Sequence, residues 1–126
     1  MMLKSSTILV VDDSLVSRQM LVFTLMEIGF NNILQADSAE KALELLKEED
    51  VDAIITDLHM GEMNGMEMIK SLREVSRFKG KPIFLLTGED GTQMKKDARN
   101  SGATLILNKS DSATKFKRVL AHYLDR

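Results

Sequence analysis

Polar residues that could act together stand at or just past the ends of four short apolar runs in this 126-residue chain. Asp12 and Asp13 follow TILVV, Asp57 follows AIIT, Thr87 follows PIFLL, and Lys109 comes after LILN. Asp57 lies within Ala53 to Gly65, AIITDLHMGEMNG, where a run with no polar alternation breaks into a Gly-containing loop. If these runs are parallel strands, their carboxyl ends share one sheet edge, which is where ligands bind in open α/β folds. Three carboxylates at one edge repel, and each pKa rises unless a cation sits among them. Mg²⁺ suits that role, since it takes oxygen ligands and is held by one or two carboxylates plus a phosphate. Asp12 and Asp13 are the candidate holders of the ion. Asp57 lends it one oxygen and attacks phosphorus with the other, which makes Asp57 the candidate phosphoryl acceptor. The transition state spreads negative charge over three equatorial oxygens. The Lys109 ammonium and the Thr87 hydroxyl are groups that stabilise such charge.

Positioning these residues requires five strands alternating with five helices. Thr7 to Val11 reads as a buried strand, and Ser14 as the N-cap of a helix from Leu15 to Ile28, with Gly29 just past its end. In that helix Leu15, Val16, Met20, Leu21, Phe23, Leu25 and Ile28 recur at helical spacing. Asn32 to Ala36 is a weaker strand. Ser38 opens a helix with Ala39, Ala42, Leu43, Leu45 and Leu46 inward, ended by Glu48, Glu49 and Asp50. After the Asp57 strand, Asn64 caps a helix running to about Phe78, with Met66, Ile69, Leu72 and Val75 on its buried side. Pro82 to Leu86 is the fourth strand, its proline tolerated at the first residue. Gly91 to Ser101 offers little beyond Met94 and Ala98 to bury and is the element expected to be most loosely held. Leu105 to Leu107 is the fifth strand. Asp111 or Ser112 caps a last helix to Leu124, with Ala113, Phe116, Leu120 and Tyr123 inward. The alternation calls for a parallel sheet with right-handed crossovers and helices on both faces, a doubly wound (βα)5 unit.

Composition excludes several classes of function. A formal net charge of −2 gives no footprint for nucleic acid. Zero cysteines rule out disulfides and thiolate zinc sites, and the only histidines are His59 and His122. No apolar run approaches the roughly 18 residues of a membrane span, and Met1 to Thr7 holds no apolar signal segment. A cytoplasmic protein with no membrane insertion is expected, a single domain over residues 1–126 with no output domain.

The ordered set VVDDS, TDLHM with a downstream NG, LLTG, and NK resembles the receiver domain of bacterial response regulators, and the match runs along essentially the whole chain. The resemblance implies a flavodoxin-like five-stranded sheet in the order 2-1-3-4-5. It implies a partner as well, a histidine kinase or histidine phosphotransfer protein that donates phosphoryl to Asp57 with Mg²⁺ bound, after which Thr87 and Lys109 reorient. Such a receiver catalyses only its own phosphorylation and dephosphorylation. It signals to another protein, here an unknown downstream target, through the face made by the fourth helix, fifth strand and last helix, as a chemotaxis-type messenger or a phosphorelay intermediate would. His59 and Glu89 fall at the family's rate-tuning positions. Ile106 falls at its switch position, which is usually aromatic. The chain departs again at Ser110, where the family usually has Pro with a cis peptide. A cis bond before a non-proline costs about 2.5–4 kcal/mol, so Lys109–Ser110 is expected trans, or its loop strained.

Three other readings share parts of this pattern. A degenerate receiver would act as a phosphate-independent binding module, which Ser110 and Ile106 favour and the intact acids oppose. A metal-dependent phosphatase would use the same Asp nucleophile for many turnovers. A flavin-binding module would want a Gly/Ser/Thr-rich loop where this chain has two acids.

Overall fold

A computed structural model describes residues 5–124, so part of the N-terminal stretch read above for a signal segment lies outside the described residues. From Thr7 onward the described residues form five strands that alternate with five helices: β1 (Thr7–Val11), α1 (Leu15–Glu27), β2 (Asn32–Ala36), α2 (Ala39–Leu46), β3 (Ala53–Asp57), α3 (Gly65–Arg73), β4 (Ile83–Thr87), α4 (Thr92–Ser101), β5 (Leu105–Asn108) and α5 (Ala113–Leu124). The sheet is parallel throughout and its order is 2-1-3-4-5, as the resemblance implied.

Why the strands lie where they do follows from their apolar runs. Residues pointing to one face of the sheet, Leu9, Val11, Ile54, Ile83 and Leu85, pack with α2, α3 and α4. Their neighbours Ile8, Val10, Ile55, Phe84 and Leu86 pack with α1 and α5 on the other face. β3 and β4 are buried along their whole length, whereas β2 and β5 at the sheet edges are only partly covered. A fully buried Leu or Ile contributes about 1.5–3 kcal/mol. A helix cap contributes about 1 kcal/mol. Strand burial therefore fixes where the site residues lie, and caps refine the helix ends.

Those ends are chemically defined. Ser14 and Ser38 accept from the backbone N–H groups of Ser17 and Lys41. Asn64 and Glu67 form a full capping box at α3. Ser112, not Asp111, caps α5 by accepting from the Lys115 N–H.

The helix faces differ from the sequence expectation in three places. α1 buries only Leu21 and Leu25 and leaves Leu15, Val16, Met20 and Phe23 exposed, because its apolar residues outnumber those the sheet can cover. α3 stops at Arg73, and a short 3-10 turn, Ser76–Phe78, follows it. Met68 takes the inward place there, Met66 is only partly buried, and Val75 is exposed beyond the helix end. In α5, Ala113 lies exposed in the first turn, while Phe116 and Leu120 form the buried stripe.

Candidate functional site

The parallel register turns separated sequence positions into neighbours. Val11 pairs with Thr56, which sets Asp12 beside Asp57 one step further along; Thr87 pairs with Asn108, which sets Lys109 just past Thr87. The Lys109 N–H then donates to the Thr87 carbonyl at 3.1 Å. Asp12, Asp13, Asp57, Thr87 and Lys109 thus meet at the carboxyl edge.

Carboxylate oxygens of Asp12, Asp13 and Asp57 lie within 4.8 Å of one another. Asp12 is buried, and its Oδ1 accepts the Ser14 N–H at 2.9 Å. Its Oδ2 is buried without a hydrogen-bond partner. A buried carboxylate oxygen left in that state costs free energy unless something positive meets it. Asp13 is exposed and completes an all-oxygen donor set, which fits Mg²⁺ or another hard divalent cation.

Asp57 is buried, with its side chain 9% exposed, and the Lys109 ammonium approaches its Oδ1 at 3.2 Å. Burial is the main influence on this carboxyl and raises its pKa above the ordinary value; Lys109 pulls it down, and the Asp12 charge pushes it up again. Lys109 is therefore the main group that favours the ionised form of Asp57 against its buried surroundings. Thr87 is buried at the end of β4, and its hydroxyl accepts the Glu89 N–H at 3.1 Å, which keeps its own proton available for an incoming oxygen.

His59 and Glu89 touch through Nε2 and Oε2 although both are largely exposed, and so join the β3–α3 loop to the β4–α4 loop beside the site. Ile106 is partly buried against the core layer that contains Ala98 and Met94 of α4. The peptide bonds described are all trans, so Lys109–Ser110 takes the first of its two expected forms.

Two site features escaped the sequence reading. A Cβ on Gly65 would overlap the Asp57 carbonyl oxygen, so α3 can start against the Asp57 backbone only with glycine there. Arg18 donates to the Asp12 carbonyl at 2.7 Å and to Gln35 at 3.0 Å, tying α1 to the acid loop and to β2. The spacing of Asn64 and Glu67 made the capping box next to Gly65 readable. Nothing in the sequence pointed to the close approach itself.

Residues 8–121 match the family model of the response regulator receiver domain. The chain belongs to that family. The receiver is 31% identical over 123 residues to "Chemotaxis protein CheY-3" of Vibrio cholerae, covering 98% of this chain and 95% of the relative. It is 41% identical over 85 residues to "Chemotaxis protein CheY homolog" of Campylobacter jejuni, a match that spans 67% of this chain and 65% of that relative's length. Among solved structures, the Vibrio cholerae chemotaxis protein CheY4 superposes with a TM-score of 0.87 at 33% identity, covering 94% of the receiver and 98% of that chain. The receiver is thus similar to chemotaxis response regulators of two-component signalling. No helix among its described residues is long and apolar enough to cross a membrane.

Proposed function

We propose that this receiver is a phosphorylation switch in which Asp57 accepts a phosphoryl group from a phosphohistidine on a histidine kinase or phosphotransfer protein in the cytoplasm. The observation that carries this reading is the placing of Asp57 between two acids, one with an orphaned buried oxygen, and the Lys109 ammonium. An Asp57 carboxylate oxygen forms the new O–P bond as the donor's P–N bond breaks, and that bond's electron pair stays on the imidazole, which leaves neutral after taking up a proton. Asp12, Asp13 and Asp57 would hold Mg²⁺, which supplies charge neutralisation of the phosphoryl oxygens when bound. Lys109 releases its hold on the carboxylate and pairs with a phosphoryl oxygen, and Thr87 donates its hydroxyl proton to another. His59 and Glu89, joined across the two loops, stand where they can restrict the approach of hydrolytic water and so set the lifetime of the acyl phosphate. Output passes to a downstream protein through the face of α4, β5 and α5, where Ile106 packs in place of an aromatic switch.

The exposed apolar stripe of α1 supports a protein donor. A cavity of about 330 Å³ lined by Val16, Met20, Leu86, Phe116, Asp111 and Lys109 joins that stripe to Lys109, whose ammonium meets Asp57, so a partner resting on α1 would lie beside the site. Intact mass after incubation with acetyl phosphate tests the chemistry. The expected result is a gain of one phosphoryl group that needs Mg²⁺ and disappears in Asp57→Asn. No gain in the native chain under any condition would favour the phosphate-independent binding module, and repeated hydrolysis of external phosphate esters would favour a phosphatase.

A further inference from the structure

Lys109 reaches Asp57 on a flexible four-carbon stem, so its ammonium is placed only as well as its backbone is. That backbone lies in a loop without proline, since Pro82 is the only one in the chain. Side chains on either side of Lys109 lock the loop instead. The Asn108 N–H donates to Asp111 Oδ2 at 2.9 Å, and Asn108 Oδ1 accepts both the Ser110 N–H at 2.9 Å and the Ser110 hydroxyl at 2.7 Å. The Asp111 N–H closes the ring on the Asn108 carbonyl at 2.9 Å, and the Lys115 ammonium holds the Asp111 carboxylate from α5 at 3.2 Å. Asn and Asp form such local rings readily because their short side chains reach backbone groups two or three residues away. The Asp111 side chain is only 14% exposed, so water competes weakly for it.

We propose that Asn108 and Asp111 are positioning residues that hold the Lys109 ammonium on Asp57, an inference that rests on the phosphoacceptor reading of Asp57. Neither residue touches the acceptor. The Asn108 side chain fixes the N–H of the Lys109–Ser110 peptide, and the Asp111 side chain fixes the N–H of Asn108, one peptide ahead of the Lys109 N–H that is anchored to Thr87. A displacement of about 1 Å at a reacting group can cost about 100-fold in rate.

The test compares phosphorylation rates from acetyl phosphate, with Mg²⁺ in excess, for the native chain, Asn108→Ala, Asp111→Ala and the same substitutions in a Lys109→Ala background. Each single variant is expected to slow phosphorylation about five- to ten-fold, the order of one or two lost hydrogen bonds. In the Lys109→Ala background neither is expected to slow it further, because nothing is left to position. A purely structural role would slow both backgrounds alike, and that result overturns the proposal, as does native rate in both variants. Asp111→Leu, which keeps a branched side chain of similar reach but offers no acceptor to the Asn108 N–H, gives the same comparison if the alanine variant does not fold. A second readout needs no phosphoryl transfer. Acylation of Lys109 by an amine-reactive acetyl ester, followed by peptide mass, is expected to rise several-fold in Asn108→Ala and Asp111→Ala. Faster labelling with no phosphorylation of the native chain would leave the positioning role standing and remove the phosphoacceptor reading. Phosphorylation with unchanged labelling and rate in the variants would do the reverse.

Discussion

Burial raises the pKa of the Asp57 carboxyl, so the folded protein holds a proton there more tightly than the unfolded chain does. Without metal, that carboxyl contributes a stability loss that grows as pH rises from its ordinary value, about 3.9, through the raised folded value, and then levels off. Asp57→Asn is therefore expected to raise Tm at neutral pH in chelator, with the difference shrinking as pH falls below the ordinary carboxylate range; a difference unchanged down to that range would contradict the assignment. Adding Mg²⁺ is expected to raise the native Tm and to do little for Asp12→Ala, whose orphaned oxygen is gone. At Gly65 the added methyl of Gly65→Ala meets backbone, not a side chain that can turn aside. It is expected to cost about 1–3 kcal/mol in denaturant unfolding and to slow phosphorylation, since the displaced atoms belong to Asp57 itself. The acids, Thr87 and Lys109 were legible because each ends an apolar run. Gly65 and Arg18 were not assigned their contacts, because those depend on distances between elements that spacing does not encode; the ring of Asn108, Ser110 and Asp111 is local, but it forms in only one of several backbone courses that a loop of such residues can take.

Elements were legible wherever burial and pattern agreed. β1, β3 and β4 are buried on both faces, and their unbroken apolar runs say so. α1 shows where the pattern misleads, since helical spacing marks an apolar face without saying what covers it. Leu21 and Leu25 meet the sheet, while Val16, Met20 and Phe23 lie one helical step apart on a surface that faces outward, each at least 67% exposed. Surface substitutions usually change stability by no more than about 0.5 kcal/mol. Met20→Glu and Phe23→Glu are therefore expected to leave unfolding nearly unchanged and phosphorylation from acetyl phosphate intact, while weakening transfer from a phosphohistidine protein. Equal transfer from both donors would show that α1 is not the donor's resting place. α3 ended earlier than its periodicity suggested because the chain after Arg73 turns into a 3-10 segment whose Phe78 fills the core.

In the whole molecule, α4 buries little beyond Ala98 and Ser101, and its exit is held from α3. Arg73 at the end of α3 donates to the Gly102 carbonyl at 2.8 Å, to the Lys81 carbonyl at 2.8 Å and to Thr104 Oγ1 at 3.1 Å, which pins the exit of α4 and the entry of β5. At the opposite end of α4, Glu89 meets His59 and Asp90 pairs with Lys95 at 2.9 Å, contacts between exposed groups that a shift of this end would break at small cost. Shifting a two-state equilibrium from 1:99 to 99:1 takes about 5.5 kcal/mol. Charge-assisted contacts from Thr87 and Lys109 supply about 1.5–3 kcal/mol each, and breaking the existing Lys109–Asp57 pair offsets part of that. Phosphorylation is therefore expected to shift the population only partly, and amide hydrogen exchange should change in α4 and β5 far more than in β1 or β3. A uniform change over the sheet would contradict a local switch. All of this depends on the fold delivering one acid among three to phosphorus. The most direct measurement is borohydride reduction after treatment with acetyl phosphate and Mg²⁺, followed by peptide mapping, because reduction converts a phosphorylated aspartate to homoserine. Homoserine at position 57 alone is the predicted result. Homoserine at Asp12 or Asp13, or none in a chain that has gained a phosphoryl group, would contradict the assignment of Asp57 as the acceptor.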